Sequence, residues 1–259
     1  MSLKLVSLAS GSRGNATLII SDTTAILVDA GISYTKIANG LKEFGLTPSM
    51  LDGVVITHEH SDHIAGVPRL SNDTKIYAVE QTARAIFERQ GMLKNYQEVE
   101  YYEGGFEIGD IKVMPFRIPH DAAYPLGYSF ACGSARCSVA TDIGVPTRGV
   151  LKNISDSEVV LLEANHDLEM LKNGPYNRCL KERIMSNTGH LSNDSAARIA
   201  ELLVGSHVHS LVLGHMSAEN NLPSLALSTV GNKLSECENA EIELYLAFQD
   251  RRSEVFEIK

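Results

Sequence analysis

The sequence predicts a layered α/β sandwich, built as one domain over residues 1–259. Short apolar runs bounded by Gly, Asn and Asp recur along the chain, which is typical of strands. Helical patterns interrupt these runs in both halves, so each half must bury its apolar faces against another layer. The chain contains no repeat, low-complexity tract or linker, and this favours one domain over two.

The first half is predicted to begin with three strands and then to alternate strands with helices. Ser33 can cap a helix in which Ile37 and Leu41 share one face, and Gly45 can close it. A second helix is predicted to end at Gly91. The predicted strands are residues 3–10, 16–22, 24–31, 51–58 and 74–80, and the predicted helices are residues 33–45 and 81–91.

The second half is predicted to be richer in strands, which are separated by Gly-rich turns. Residues 168–184 form a helical, partly basic stretch. Ser192 or Asn193 can cap the next helix, whose apolar face includes Leu203. The predicted strands are residues 106–120, 125–133, 135–144, 158–165, 209–215, 243–249 and 254–258, and the last helix covers residues 221–236.

The composition is that of an ordinary globular protein, with 44% hydrophobic and 21% charged residues. The net charge of −9 argues against a protein that coats nucleic acid through a global positive field, although a local basic groove stays open. The four cysteines form no C-x-x-C pair, so we expect reduced thiols. With no membrane-length apolar run and no signal-peptide pattern, we expect a soluble cytoplasmic protein.

A dense group of titratable side chains follows the apolar run at residues 54–56: His58, Glu59, His60, Asp62 and His63. Histidine with carboxylate suits zinc, and also iron or manganese. His58 and His60 stand two apart, so in an extended turn they point the same way and can bind one ion. Asp62 and His63 follow on the next bend and can face a second ion. The alternative is a solvated loop that happens to be rich in histidine.

Three later apolar runs also end in metal-capable side chains: RIPH in His120, SVATD in Asp142 and LVLGH in His215. Each of these residues alone is more often a capped or solvated strand end. Together with the His-rich segment they favour a site at the ends of the strands, where a rigid sheet holds the loops.

These motifs resemble the metallo-β-lactamase superfamily, and they extend from Asp29 in ILVDAG to His215. The resemblance implies a four-layered αββα sandwich of two mixed β-sheets, with a two-metal site at the edge between the sheets. It also implies that Asp142 bridges the metals and that Asp29 supports the His-rich loop. The implied ligands are His58, His60 and His120 for the first metal, and Asp62, His63 and His215 for the second.

The resemblance further implies a hydrolase in which two divalent ions, zinc or manganese with iron also open, share a bridging hydroxide. That hydroxide would be the nucleophile, and Asp62 could orient it as well as bind metal. The same ions would stabilise the negative charge that develops.

Two further segments favour a phosphodiester substrate. Glu163 ends LLE and His190 lies in NTGHLSN, and such a pair resembles tRNA 3′-processing endonucleases of the superfamily, where it protonates the leaving oxygen. SLASGSRGNATLI and LVLGHMSAENNLP make the chain most similar to the compact YycJ/WalJ-type branch, which is associated with DNA exonuclease activity. Ser12 and Asn15 of the SGSRGN loop are then expected to hold a phosphate.

Two alternatives stay open. One is a small-molecule hydrolase of the thioesterase, glyoxalase II or lactamase type acting through the same metals. The other is a domain with a relic site, which is disfavoured because no ligand position is replaced. A nuclease would also need cations to hold DNA, and no membrane partner is expected. The candidate cations are Arg13, Arg148, Lys152, Lys172, Arg178, Lys181 and Arg183.

Overall fold

The protein is described by a computed structural model that covers residues 2–99 and 105–259. Within those residues, two seven-stranded mixed sheets pack face to face and carry helices on their outer faces. The predicted αββα sandwich is confirmed. The prediction of a single domain over residues 1–259 stays a prediction.

The first sheet is antiparallel at one side and parallel at the other. Its order is β14-β1-β2-β3-β4-β5-β6, with parallel pairing from β3 onward. The strands are β1 Leu3–Ala9, β2 Ala16–Ile20, β3 Ala25–Val28, β4 Gly53–Val55, β5 Ile76–Ala78, β6 Tyr96–Glu98 and β14 Phe256–Ile258. The helices that follow these strands are α1 Tyr34–Lys42, α2 Ser61–Ile64, α3 Val67–Leu70 and α4 Glu80–Gln90, with a short 3-10 helix at Pro48–Met50.

The second sheet repeats this plan in the order β13-β12-β11-β10-β9-β8-β7. Strands β7 to β10 pair antiparallel, and β10 to β13 pair parallel. The strands are β7 Phe106–Ile108, β8 Ile111–Arg117, β9 Leu126–Cys132, β10 Ala135–Ala140, β11 Val159–Glu163, β12 Ser210–Gly214 and β13 Glu243–Leu246. The helices are α5 Arg148–Ile154, α6 Leu168–Asn173, α7 Arg178–Ile184, α8 Asn193–Leu203 and α9 Pro223–Ser235.

Three apolar clusters separate the four layers. The central one lies between the sheets, where Leu5 and Ile26 of the first sheet meet Tyr128 and Leu161 of the second. The other two lie between each sheet and its helices. Side chains alternate along a strand, so strands that are buried throughout, such as β3, β11 and β12, are mostly apolar on both faces. Their polar groups concentrate at the strand ends.

Several predicted boundaries need correction. The helical stretch at residues 168–184 is two helices, because Gly174 and Pro175 interrupt it and proline cannot continue a helix. The strand at residues 106–120 is a hairpin that turns at Gly109, whose φ is 57°. Helix α5 and strand β6 were not predicted, since seven and three residues are too few to show a period.

The predicted helix caps are mostly confirmed. Ser33 accepts a hydrogen bond from the backbone N–H of Lys36, and Ser192 rather than Asn193 caps α8. Helix α4 ends at Gly91 as expected. Across the described ranges, no helix combines the length and the apolar character that crossing a membrane requires.

Candidate metal centre

The His-rich segment leaves the first sheet at the end of β4 and turns into the short helix α2. His60 precedes the helix in an extended conformation, and Asp62 and His63 lie on the helix itself. His58 and His63 are fully buried. The side chains of His60 and Asp62 are 20% and 22% exposed, so this side of the segment opens to solvent.

The second sheet brings its strand ends to the same place. Strands β10, β11 and β12 are parallel neighbours, so Asp142, Glu163 and His215 leave the sheet at one edge. His120 leaves β8, which runs in the same direction as β10 because both pair antiparallel with β9 between them. Residues up to 157 positions apart in the sequence therefore converge on His58.

Three of these residues have a left-handed backbone: φ is 59° at Asp29, 60° at Asp142 and 52° at His215. Each of the three lies one or two residues after the end of a strand, β3, β10 or β12, at the start of the loop that carries the site. A left-handed residue other than glycine costs roughly 1–2 kcal/mol. Such strain persists where the surrounding structure imposes it, and it concentrates at functional sites.

The converging side chains form overlapping groups whose ligand atoms lie within 4.8 Å of one another. In one group, His120 Nε2 lies 3.2 Å from His60 Nδ1. Asp142 lies between the groups, with Oδ2 3.2 Å from His63 Nε2 and Oδ1 3.4 Å from His215 Nε2. The groups are His58, His60 and His120; His58, His63 and Asp142; Asp62, His63 and His215; and Asp142, Glu163, His190 and His215.

The donor atoms of this cluster fit divalent cations. His58 Nε2 and Asp142 Oδ2 are buried without a partner in hydrogen-bonding geometry. Burial also lowers the pKa of His58 well below its ordinary value, so its ring is neutral and offers a lone pair. An unpaired buried polar group costs about 1–3 kcal/mol, and a bound cation would remove that cost at both atoms.

The remaining charges show what a cation would replace. Burial alone would raise the pKa of Asp142, but His215 and His63 hold it well below its usual range. Burial lowers the pKa of His215, yet Asp142, Asp62 and Glu163 outweigh burial and raise that pKa to about 10. Protons on the imidazoles therefore balance the carboxylates in the metal-free protein, and metal binding has to displace them.

Asp29 contacts His63 from behind. Its Oδ2 lies 2.7 Å from His63 Nδ1, and its two oxygens accept hydrogen bonds from the N–H and hydroxyl of Thr57, each at 2.8 Å. These contacts leave His63 Nε2 facing the cluster. The carboxylate–histidine arrangement fixes both the tautomer and the direction of the ring.

Glu163 is fully buried and contacts two histidines at once. Its Oε1 lies 2.8 Å from His190 Nδ1 and 2.9 Å from His215 Nδ1. Its Oε2 accepts hydrogen bonds from the backbone N–H groups of Ile143 and Leu191. Burial raises the pKa of Glu163, but His190 and His215 outweigh it and lower the pKa to about 2. Glu163 is therefore an ionised group that orients imidazoles and does not itself reach solvent.

His190 lies at the opening of the cluster, with a side chain that is 17% exposed. We call this opening the mouth and define it by His60, Asp62 and His190, the partly exposed members of the cluster. The remaining members are almost fully buried. A substrate could therefore approach the cluster through the mouth.

The SGSRGN loop packs against the His-rich segment. Asn15 is buried, and its Nδ2 lies 3.2 Å from His63 Nε2 and 3.5 Å from Asp62 Oδ2. Ser12 is exposed on the same loop. The structure thus brings the loop to the cluster, with Asn15 inside it and Ser12 at its surface.

Sequence reasoning missed residues that hold the site from a distance. Ser10 Oγ accepts the backbone N–H of His215, and the side chain of Gln249 bonds to the backbone of Arg13 and Gly14. Their partners are about 200 or more positions away, so no local pattern reveals them. Asp121 directly follows the candidate ligand His120, so its place beside the site is visible in the sequence itself.

The sequence is similar to known proteins over most of its length. A family model described as a β-lactamase superfamily domain matches residues 24–216. Exodeoxyribonuclease WalJ of Streptococcus pneumoniae is 37% identical over 89% of this chain and 88% of that protein. Exodeoxyribonuclease YycJ of Bacillus anthracis is 34% identical over 91% of this chain and 90% of that protein.

Solved structures support the fold alone. The metallo-β-lactamase fold protein YhfI from Bacillus subtilis has a TM-score of 0.72 at 17% identity, over 99% of this chain and all of that one. The short form of human tRNase Z has a TM-score of 0.63 at 18% identity, over 97% and 98%.

Proposed function

Because the chain belongs to the β-lactamase superfamily, we propose that it is a metal-dependent exodeoxyribonuclease. The observation that carries the proposal is the Glu163–His190 pair at the mouth of the candidate metal centre. An alkoxide is a poor leaving group and needs a proton, whereas a thiolate, with a pKa near 8.5, leaves without one. The relatives named exodeoxyribonucleases support DNA as the substrate.

The donor set supports two divalent cations, zinc or manganese, with iron also compatible. His58, His60 and His120 would hold one cation, and Asp62, His63 and His215 the other, with Asp142 between them. When bound, the cations would lower the pKa of a water molecule and offset negative charge on the phosphate.

His190 is the proton donor in this proposal. Its Nδ1 is engaged by Glu163, so Nε2 is the ring nitrogen left for the substrate. Burial lowers the pKa of His190, but Glu163 and Asp142 outweigh it and raise that pKa. The imidazolium gives its Nε2 proton to the leaving oxygen as the P–O bond breaks, and Glu163 stabilises the charge and orientation of the ring.

The remaining predicted residues have supporting roles. Asp62 would help to hold a cation, and it orients the attacking water at the mouth. Asp29 fixes the ring of His63 through their 2.7 Å contact. The SGSRGN loop holds a phosphate through exposed Ser12 and through Asn15, whose amide lies beside Asp62. Such a loop compensates locally for the net charge of −9, which by itself repels DNA.

The test compares His190→Ala with His207→Ala, an exposed histidine outside the cluster. We expect His190→Ala to slow nucleotide release from end-labelled linear duplex DNA by about 10²–10⁴-fold, with metal content unchanged. His207→Ala should match the wild type. Reactions are run with zinc and with manganese.

A second set of substrates separates the proposal from small-molecule hydrolysis. Intact DNA with both metals, together with cleavage of a thioester or a lactam by the same preparation, would refute the proposal and support the small-molecule hydrolase. Degradation of DNA that His190→Ala leaves unchanged would refute the assigned role of His190.

A further inference from the structure

An arginine–aspartate pair lies beside the mouth. Asp121 Oδ2 accepts a hydrogen bond from Arg183 Nε at 2.5 Å, and Oδ1 accepts one from Arg183 Nη2 at 3.0 Å. The same Oδ1 lies 3.5 Å from His120 Nε2 and 4.0 Å from His60 Nε2. One carboxylate therefore separates the guanidinium from two candidate metal ligands.

The position of Arg183 is fixed by its surroundings. The backbone N–H of Asp121 bonds to the carbonyl oxygen of Thr188, and His120 Nδ1 lies 3.0 Å from the carbonyl oxygen of Gly189. These contacts fix the loop before His190 against the candidate ligand His120, and the backbone N–H of His190 bonds to the carbonyl oxygen of Ile184 at the end of α7. The guanidinium nevertheless stays accessible, because the Arg183 side chain is 49% exposed.

The neighbouring cations of the basic stretch are arranged differently. Arg178 pairs with Glu182 one turn along its own helix, and Lys172 pairs with Glu169 in the same way. Lys181 Nζ donates to the carbonyl oxygen of Lys172. These contacts lie along the exposed faces of α6 and α7, where ion pairs are weak and solvated.

Arg183 has donors left for an anion. A guanidinium carries five N–H groups in a fixed plane, and the two contacts with Asp121 occupy one face of that fork. The hydrogen bonds that Arg183 donates to Asp121 raise the pKa of its guanidinium, and the more distant carboxylates of Asp62 and Asp142 raise it further. Asp62 at the mouth and Asp121 beside it are carboxylates, so a polyanion that enters the mouth needs a fixed cation nearby.

We propose that Arg183 binds a phosphate of the DNA strand next to the phosphate being cut, and that Asp121 is the positioning residue that holds it there. This inference rests on the proposed nuclease function. It adds a substrate contact on the side of the mouth where His60 and His120 lie. Binding of DNA then depends on a phosphate that neighbours the scissile phosphate, in addition to the scissile phosphate itself.

The test uses two substrates with the metal-loaded protein: a single-stranded oligodeoxynucleotide, and bis(p-nitrophenyl) phosphate, a diester with no neighbouring phosphate. For Arg183→Ala we expect the KM for DNA to rise about tenfold or more, with kcat within about twofold. The slope of log KM against log salt should fall by about one. The kcat/KM for the small diester should stay within about twofold.

Two variants test the geometry of the Arg183–Asp121 pair, and a third variant serves as the control. Arg183→Lys keeps the charge but loses the fork, so its KM should lie between those of the wild type and Arg183→Ala. Asp121→Asn should raise the KM for DNA with metal content retained, and adding it to Arg183→Ala should have little further effect. The control is Arg84→Ala, because Arg84 is an exposed arginine on α4 that also forms an ion pair.

The outcomes separate this inference from the function on which it rests. If the wild type degrades DNA and Arg183→Ala behaves like Arg84→Ala, the inference is overturned and the nuclease proposal stands. Equal losses of kcat/KM for DNA and for the small diester also overturn it, since Arg183 would then act at the cleaved phosphate or on the metals. A wild type that hydrolyses only the small diester overturns both.

Discussion

The Asp29–His63 contact connects the first sheet to the candidate metal centre, and removing it would show how much it contributes to the affinity for zinc. We expect Asp29→Asn to weaken zinc binding by about 10–100-fold. Asparagine is chosen because it tolerates the left-handed φ of 59° at this position, so the backbone is retained and the carboxylate charge is removed.

The magnitude follows from the contacts of Asp29. In the wild type, Asp29 accepts the N–H of Thr57 at 2.8 Å and lies 2.7 Å from His63 Nδ1. The side-chain oxygen of an asparagine can still accept the N–H of Thr57, but its NH₂ group cannot accept a hydrogen bond from His63 Nδ1. A hydrogen bond to a charged group contributes about 1.5–3 kcal/mol. At about 1.4 kcal/mol for each tenfold change, this corresponds to roughly 10–150-fold in affinity, which agrees with the range expected for outer contacts of a metal ligand.

The assay is competition for zinc between the metal-free protein and a chromophoric chelator at fixed pH. The matched control is Asp52→Asn, since Asp52 accepts the backbone N–H of Ala25 in the same sheet and has no contact with a candidate ligand among its described hydrogen bonds. A dissociation constant for Asp29→Asn within twofold of both the wild type and Asp52→Asn would show that the contact does not support metal binding.

Three further predictions concern the proton donor, acid stability and packing. Glu163→Gln should lower kcat for DNA by about 10²-fold or more because the imidazolium loses its carboxylate partner, and steady-state kinetics alongside metal analysis would check this; a kcat near that of the wild type would contradict it. Burial raises the pKa of Asp110, but the hydroxyl hydrogen bond from Ser21 and others outweigh it and lower that pKa to about 2. Asp110 therefore contributes stability that is present above its ordinary pKa near 3.8 and is lost as the pH falls towards 2. In acid-unfolding experiments, Asp110→Asn should reduce the dependence of the unfolding free energy on pH over that window. An unchanged dependence would count against this. Gly31→Ala should destabilise the fold by about 3 kcal/mol or prevent folding, because a Cβ there would lie 1.6 Å from a backbone carbonyl oxygen of α2. The control is Gly149→Ala, whose Cβ would have its nearest neighbour 3.7 Å away and which should be neutral or stabilising. Denaturant titrations measure both, and equal stabilities for the two variants would refute the packing argument.

Much of the fold and of the candidate site could be read from the order of residue types. Apolar runs that end in a histidine or a carboxylate mark strand ends, because a buried strand cannot carry unpaired charge along its length. This reasoning located β4, β10, β11 and β12 and the metal-capable residues after them, and glycine and serine marked the ends of α1, α4 and α8. These features are local, so a short window of sequence contains the physical cause.

Local pattern failed where elements are short or where the period is interrupted. Helix α2 has four residues and α5 has seven, too few for a helical face to show in the sequence. The stretch at residues 168–184 has a helical composition throughout, yet Gly174 and Pro175 divide it into α6 and α7. That division sets where Arg183 lies relative to the mouth.

The sequence patterns thus determined a layered α/β sandwich and the chemical character of the candidate ligands, because alternation, capping and strand-end polarity act over a few residues. The two mixed sheets followed from the resemblance to the metallo-β-lactamase superfamily. The tertiary structure alone decided which groups touch. Ser10 meets the backbone of His215 across 205 positions, and Arg183 meets Asp121 across 62. Such contacts depend on the order of strands in two separate sheets and on how those sheets pack, and neither is encoded in any single segment of the chain.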